Sequence, residues 1–361
     1  MTMTGTCGHA PPLPAASGDA GAEMRPTASN GPGAASRRQG LRLLLAGVAA
    51  SASAWSGSRT ALAQAYPTRP IRVIVPFTAG GGTDVVGREL AHLLATELGQ
   101  PVVIDNRAGG GTVLGSDLAS KAAPDGYTLL LTTSALAINA SLVKNLPYDT
   151  ERGFTEVGLI CHGPNVVVVR PDSPFRSITD IIKAAKADPG GLTYGSSGNG
   201  SAVHLAAELF KLTVGIDITH VPYRGAGPAY TDLLGGRLDM VFGTAGGVAA
   251  FVKGDRMRAV AVTSPQRSPA YEGVPTIAET LPGYEAEVWY AVFAPGGTPA
   301  PLVARLNEAM RKAAASPAYR TRLENEGLSV AVNAPAEMTR FMRAEEARWR
   351  RVVTDGRITS D

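Results

Sequence analysis

Ile71-Arg72-Val73-Ile74-Val75-Pro76-Phe77-Thr78-Ala79-Gly80-Gly81-Gly82-Thr83-Asp84 opens on an apolar, β-branched run, crosses a loop of small residues and enters a helical pattern that continues to Leu98. About 115 residues later the same order returns in other letters: Leu192-Thr193-Tyr194 leads into Gly195-Ser196-Ser197-Gly198-Asn199-Gly200-Ser201, and a helical pattern follows to Leu212. Each stretch reads as a strand, a loop and a helix whose first turn begins beside the loop, so free backbone N–H groups and a positive dipole end point outward. Two such ends facing each other would clamp a small anion.

Outward from these units, apolar runs ending in Gly, Ser or Thr recur at 71–77, 102–105, 127–131, 166–169, 240–243 and 259–263, with helical patterns between them at 86–98, 178–186, 229–234 and 302–314. Alternating strands and helices predict α/β layers with largely parallel sheets, their working loops at the carboxyl ends of the strands. Two stretches, 157–170 and 288–294, read as crossings between domains. They put residues 64–165 and 287–361 in one domain and 166–286 in the other, with a cleft between. A C-terminal amphipathic helix, with Met338, Phe341, Met342, Ala344, Glu345 and Trp349 on one face, is expected to dock on the first domain.

Residues 1–63 do not read as a domain. A stretch rich in Gly, Ala, Pro and Ser precedes Arg37-Arg38, an apolar run over 43–54 and A-x-A sites at Ala61 to Ala63 and Ala63 to Ala65. That order predicts an export signal with a disordered leader, cleaved near Ala63 or Ala65, and the arginine pair suits the twin-arginine route. The apolar run is shorter than the roughly 17–25 residues that span a bilayer. The chain holds 34 Lys+Arg and 31 Asp+Glu, of which the first 63 residues carry five and two, leaving 29 of each. A net charge of zero gives nucleic-acid binding no support. Only Cys161 remains after cleavage, so no intramolecular disulfide can form.

Enzyme signatures fail on spacing. A dinucleotide fingerprint needs a third glycine where Val85 stands, although Asp105 lies about twenty residues on. A phosphate loop needs Lys-Ser/Thr where Arg88-Glu89 stands. A nucleophile elbow needs glycine at Asn199. His92, His162, His204 and His220 are scattered, so no metal site is expected. The alternative function is a periplasmic hydrolase using Ser197 and His204.

Seven motifs stand in order: Tyr66-Pro67-x-Arg69-Pro70-Ile71; Val75-Pro76-Phe77-x-x-Gly80-Gly81-x-Thr83-Asp84; Pro124-Asp125-Gly126-Tyr127-Thr128-Leu129; Leu146-Pro147-Tyr148-Asp149; Ser196-Ser197-Gly198-Asn199-Gly200-Ser201-x-x-His204-Leu205; His220-Val221-Pro222-Tyr223-Arg224-Gly225; and Ala261-Val262-Thr263-Ser264. Together they resemble the periplasmic receptors of tripartite tricarboxylate transporters, the Bug-type solute-binding proteins, over almost all of the chain after the leader. The resemblance implies a type II periplasmic-binding-protein fold of two domains, each a mainly parallel sheet flanked by helices. It implies a periplasmic monomer that needs no cofactor, closes on a small carboxylate and delivers it to membrane permease subunits.

The candidate ligand set is Phe77, Thr78, Ala79, Gly80, Gly81, Thr83 and Asp84 in the first loop, Ser134 after the strand at 129–131, Ser197, Gly198, Asn199, Gly200, Ser201 and His204 around the second loop, and Gly243 and Thr244 after the strand at 240–242. Asp84 reads better as a helix cap than as a ligand contact. His204 is either paired with Glu208 or turned to the ligand. Many relatives carry an acidic or amide side chain where this chain has Gly243 and Thr244, which argues against an amino-group ligand.

Overall fold

The computed structural model describes residues 66–360; the export signal, the arginine pair and both cleavage sites lie outside the described residues. The first unit is β1 (Ile71–Val75) followed by α1 (Gly82–Leu98). Parallel pairing joins β1 to β2 (Val102–Asn106) and β3 (Thr128–Thr133), with α2 (Val113–Ser120) and α3 (Ala135–Leu142) between and after them. Val86, Leu90, Leu94 and Leu98 recur one turn apart on α1 and bury against Val73, Val75, Leu129 and Leu131. Each such side chain contributes about 1.5–3 kcal/mol on burial.

The 16-residue β4 (Phe154–Val169) then carries the chain from the first unit to the second. The second unit comprises α4 (Ile178–Ala187), β5 (Thr193–Ser196), α5 (Ala202–Val214), β6 (Thr219–Pro222), α6 (Ala226–Leu234), β7 (Met240–Thr244), α7 (Ala245–Lys253) and β8 (Arg258–Val262). The chain returns along β9 (Glu287–Pro295) and closes with α8 (Ala300–Ala314), α9 (Pro317–Glu324), β10 (Ser329–Val330) and α10 (Pro335–Asp355).

Strand order is β2-β1-β3-β9-β4-β7-β5-β6, with β8 and β10 also on β4. Pairing is parallel within β2-β1-β3 and within β7-β5-β6, as alternation of strands and helices requires. It is antiparallel wherever β4 or β9 takes part. A chain that leaves one half along β4 must come back along β9, and two adjacent crossings in opposite senses pair antiparallel. The fold is therefore α/β with a mixed rather than largely parallel centre.

Strand β4 changes partners between Pro164, the last residue on β9, and Asn165, the first on β7. Proline has no N–H to give the ladder. The buried Asn165 fixes the change of partner through its backbone N–H to Thr263 Oγ1 at 2.7 Å and its Nδ2 to the Ala286 carbonyl at 2.8 Å. Cys161, just before this point, is fully buried. On α10, Met338, Met342, Trp349 and Val353 pack against α3, Trp289 and Phe293, so the amphipathic face docks on the half built from β1, β3 and β9. Among the described residues no helix is long and apolar enough to cross a membrane.

Candidate ligand-binding site

Both small-residue loops open on one cavity of about 30 Å³, and eight of the candidate residues line it: Phe77, Thr78, Gly81, Thr83, Ser197, Ser201, Gly243 and Thr244. No charged side chain lines it; the walls are hydroxyls, backbone and apolar groups such as Val203, Phe242 and Val288. The helix starts of α1 and α5 meet here because each follows a strand end through a loop too small to bury anything else.

The first loop is shaped by Asp84. Its Oδ2 accepts the Gly80 N–H and Arg88 Nε, each at 2.9 Å, and its Oδ1 accepts Asn106 Nδ2 at 3.0 Å. Burial opposes the charge, yet the hydrogen bonds from Arg88, Gly80 and Asn106 outweigh it and hold the carboxyl below the usual range. Asp84 thus acts on the loop and does not line the cavity, while Ala79 and Gly80 face outward and are exposed. The N-cap position itself is Gly81, without a side-chain cap.

In the second loop Ser201 is the N-cap of α5, accepting the His204 N–H at 3.3 Å and donating to the Gly198 carbonyl at 2.6 Å. His204 Nδ1 accepts the Gly200 N–H at 3.2 Å, which requires a neutral ring protonated on Nε2. That ring stacks on His220 with centroids 4.3 Å apart, and His220 stacks on Tyr194 at 4.7 Å. Burial, and then Lys211, pushes His204 down to about 4; burial, and then His204, pushes His220 down to about 3. Glu208 is engaged elsewhere, accepting Tyr194 Oη at 2.6 Å and Lys211 Nζ at 2.9 Å. His204 therefore neither pairs with Glu208 nor lines the cavity; it holds the Gly200 amide.

The hydroxyl that meets an imidazole is Ser196, 2.7 Å from His220 Nε2, and not Ser197. Ser196 also accepts the Gly198 N–H at 3.1 Å and is fully buried. So acidic a histidine is a poor general base at neutral pH.

Gly198 and Asn199 lie in an adjoining outer groove of about 440 Å³ with Tyr223, Arg224 and Ser360. Asn199 Nδ2 donates to the Ser360 carbonyl at 2.7 Å, tying the second loop to the chain after α10. The turn between β2 and α2 touches the second loop across this groove: a Cβ on Gly111, at φ 60°, would sit 2.0 Å from the Asn199 carbonyl oxygen. Ser134 is buried behind Thr133, which lines the cavity in its place.

The candidate ligand set left out Thr133 and Ser196, each next to a residue it named, and contained neither Tyr230 nor the apolar wall.

Residues 86–357 match a family described as "Tripartite tricarboxylate transporter family receptor". The chain is similar to "Protein BugT" of Bordetella pertussis, 38% identical over 319 residues that make up 88% of this chain and 95% of that protein. Among solved structures, "R. palustris Rpa4515 with adipate" is 36% identical with a TM-score of 0.79, covering 81% of this chain and 99% of its own. "MatC (Rpa3494) from Rhodopseudomonas palustris with bound malate" is 31% identical with a TM-score of 0.76, covering 80% and 100%.

Proposed function

The chain belongs to the tripartite tricarboxylate transporter receptor family, and from that premise we propose that it captures a small carboxylate in the cavity between the two small-residue loops and passes it to the permease subunits of such a transporter. It is a periplasmic solute-binding receptor with the two-domain binding-protein fold, not an enzyme. Two of the similar proteins of known structure are described with adipate and with bound malate, both dicarboxylates.

The observation that most supports this reading is a neutral, hydroxyl-lined cavity fed by two helix starts. Hydrogen bonds to a charged group are worth about 1.5–3 kcal/mol each, and a helix start adds about 0.3–1 kcal/mol. Four to six such contacts, less the costs of association, reach the roughly 8 kcal/mol of a micromolar site. A cavity of about 30 Å³ is on the scale of two water positions, so a bound acid enters only when the walls part. Thr78 and Thr83 act from one side in this scheme, and Ser197 and Ser201 from the other.

The moving bodies are residues 64–165 with 287–361, and residues 166–286, joined where β4 changes partners. The receptor acts as a monomer whose closed form presents the surface a permease reads. It is exported by the twin-arginine route and cleaved near Ala63 or Ala65. Sequencing the amino terminus of periplasmic protein tests the cleavage.

A thermal-shift screen of mono-, di- and tricarboxylates tests the main reading. A rise in melting temperature with carboxylates supports it. A rise only with a neutral solute overturns it.

A further inference from the structure

The turn at 325–328, between α9 and β10, presses into the half of the molecule built from residues 166–286. Lys253 Nζ on α7 donates to the Asn325 carbonyl at 2.7 Å. A Cβ on Gly327 would lie 3.0 Å from the Tyr271 ring and 3.2 Å from Ala245 Cβ. Between these contacts Glu326 reaches the start of α7, where a Cβ on Gly246 would lie 3.0 Å from its Oε2. That oxygen is buried and has no hydrogen-bond partner among the described residues, so no N–H of α7 satisfies it. Its Oε1 meets Arg322 Nε at 3.1 Å, but the Arg322 side chain is 55% exposed and is shared with Glu89 at 3.6 Å. Glu326 does not line the cavity between the two small-residue loops.

An ionised carboxylate with one oxygen dry and unpaired is costly, and taking up a proton removes the charge. Burial acts most strongly on Glu326 and raises it above its ordinary value; Arg322 opposes this, Glu89 adds to it and Lys253 opposes it. The other groups that face it are Tyr271, Tyr290 on β9 and Cys161 on β4, all raised by burial and so uncharged at neutral pH. The cover over Oε2 is supplied by the opposite half, through the start of α7. Parting the halves returns water to this oxygen and favours the ionised form, and closing them favours the protonated one.

We propose that Glu326 is a proton site tied to closure: it binds a proton as the two halves shut on the ligand and releases it as they part, so that capture of a carboxylate is coupled to uptake of a proton. This rests on the receptor reading given above, in which these two bodies move. By linkage, a group that holds its proton better in the closed form draws the halves together as pH falls and loosens them as pH rises. Affinity for the ligand should therefore rise toward acid, by up to about 10-fold per pH unit for a single proton.

The test uses the mature protein and whichever acid of the thermal-shift screen binds, adipate and malate included, by titration calorimetry from about pH 6 to 8. Heats in phosphate and in Tris, buffers of different ionisation enthalpy, give the protons taken up per ligand. Glu326→Gln, which keeps the shape of the protonated acid, should take up fewer protons than wild type by up to one, show a flatter pH profile and bind at pH 8 at least as tightly. His162, on β4 opposite Ser329 and raised by the Glu287 carboxylate, and the ligand's own carboxyls are common to both proteins and cancel in the difference. Glu326→Leu serves the same comparison if the glutamine variant does not fold. Equal proton uptake in wild type and variant, or a wild-type affinity that does not rise from pH 8 to 6, overturns the proton site while the receptor reading stands. Failure of every acid in the screen to bind overturns both.

Discussion

The Asp84 carboxylate takes the Gly80 N–H at 2.9 Å and so folds the glycine loop back onto the first turn of α1. Replacing a buried acceptor of three hydrogen bonds exposes their worth. Asp84→Asn should lower stability at pH 7 by about 1.5–3 kcal/mol in urea denaturation. The folded pKa is depressed, so this stability is present above the unfolded value and is lost as pH falls through the folded one. The gap between wild type and variant should therefore close in acid. Equal stability at pH 7 would show that Asp84 does not organise the loop.

The stacked pair His204 and His220 gives the opposite residue type the same sign. Both pKa values are depressed, to about 4 and about 3, so the unfolded chain binds more protons once pH drops below about 6.5. Stability should fall as pH is lowered from about 6.5 to 5, each ring contributing a slope of up to about 1.4 kcal/mol per pH unit. His162, raised by the Glu287 carboxylate 3.3 Å from its Nδ1, works the other way, so the comparison is with His220→Gln. That variant should show a slope smaller by about one proton; an unchanged slope would mean that His220 is charged in the native state.

Glu345 Oε2 accepts both indole N–H groups beside it, Trp289 Nε1 at 2.8 Å and Trp349 Nε1 at 3.0 Å. Glu345→Ala leaves two buried donors unpaired and should cost roughly 2–5 kcal/mol. Glu345→Gln retains an acceptor oxygen and should cost about 1 kcal/mol. Guanidinium denaturation followed by tryptophan fluorescence reads both, and equal costs would point to charge rather than hydrogen bonding.

Asn199 joins the second loop to Ser360, beyond a helix packed on the other half of the molecule. Breaking one such bond should raise the ligand dissociation rate about 3- to 10-fold with little change in association. Asn199→Ala and a chain ending at Gly356 should give the same effect, and the two together no more. Stopped-flow displacement measures it; additive losses would mean that Asn199 meets the ligand itself.

The two strand, loop and helix units were legible because a β-branched run, a glycine run and a 3.6-residue period follow one another in 71–98 and again, with serines, in 192–212. The antiparallel centre was not, since partner choice for β4 and β9 depends on residues more than a hundred positions apart. Tyr230 stands between Pro228-Ala229 and Thr231-Asp232, and that stretch reads alike whether its hydroxyl enters a cavity or meets solvent. The direction of Asn199 was hidden by a contact spanning 161 residues. The support of Gly200 by His204 was within reach, because four residues separate donor and acceptor at a helix start.

Cys161 lies on the strand common to both halves, and without residues 1–63 it is the sole sulfhydryl. Complete burial also drives its thiol away from the reactive thiolate form. A maleimide reagent should consequently stay blind to ligand-driven gaping of the molecule and label only chains that have lost the central strand. The native sequence thus carries its own stopwatch for kinetic stability, free of any engineered probe.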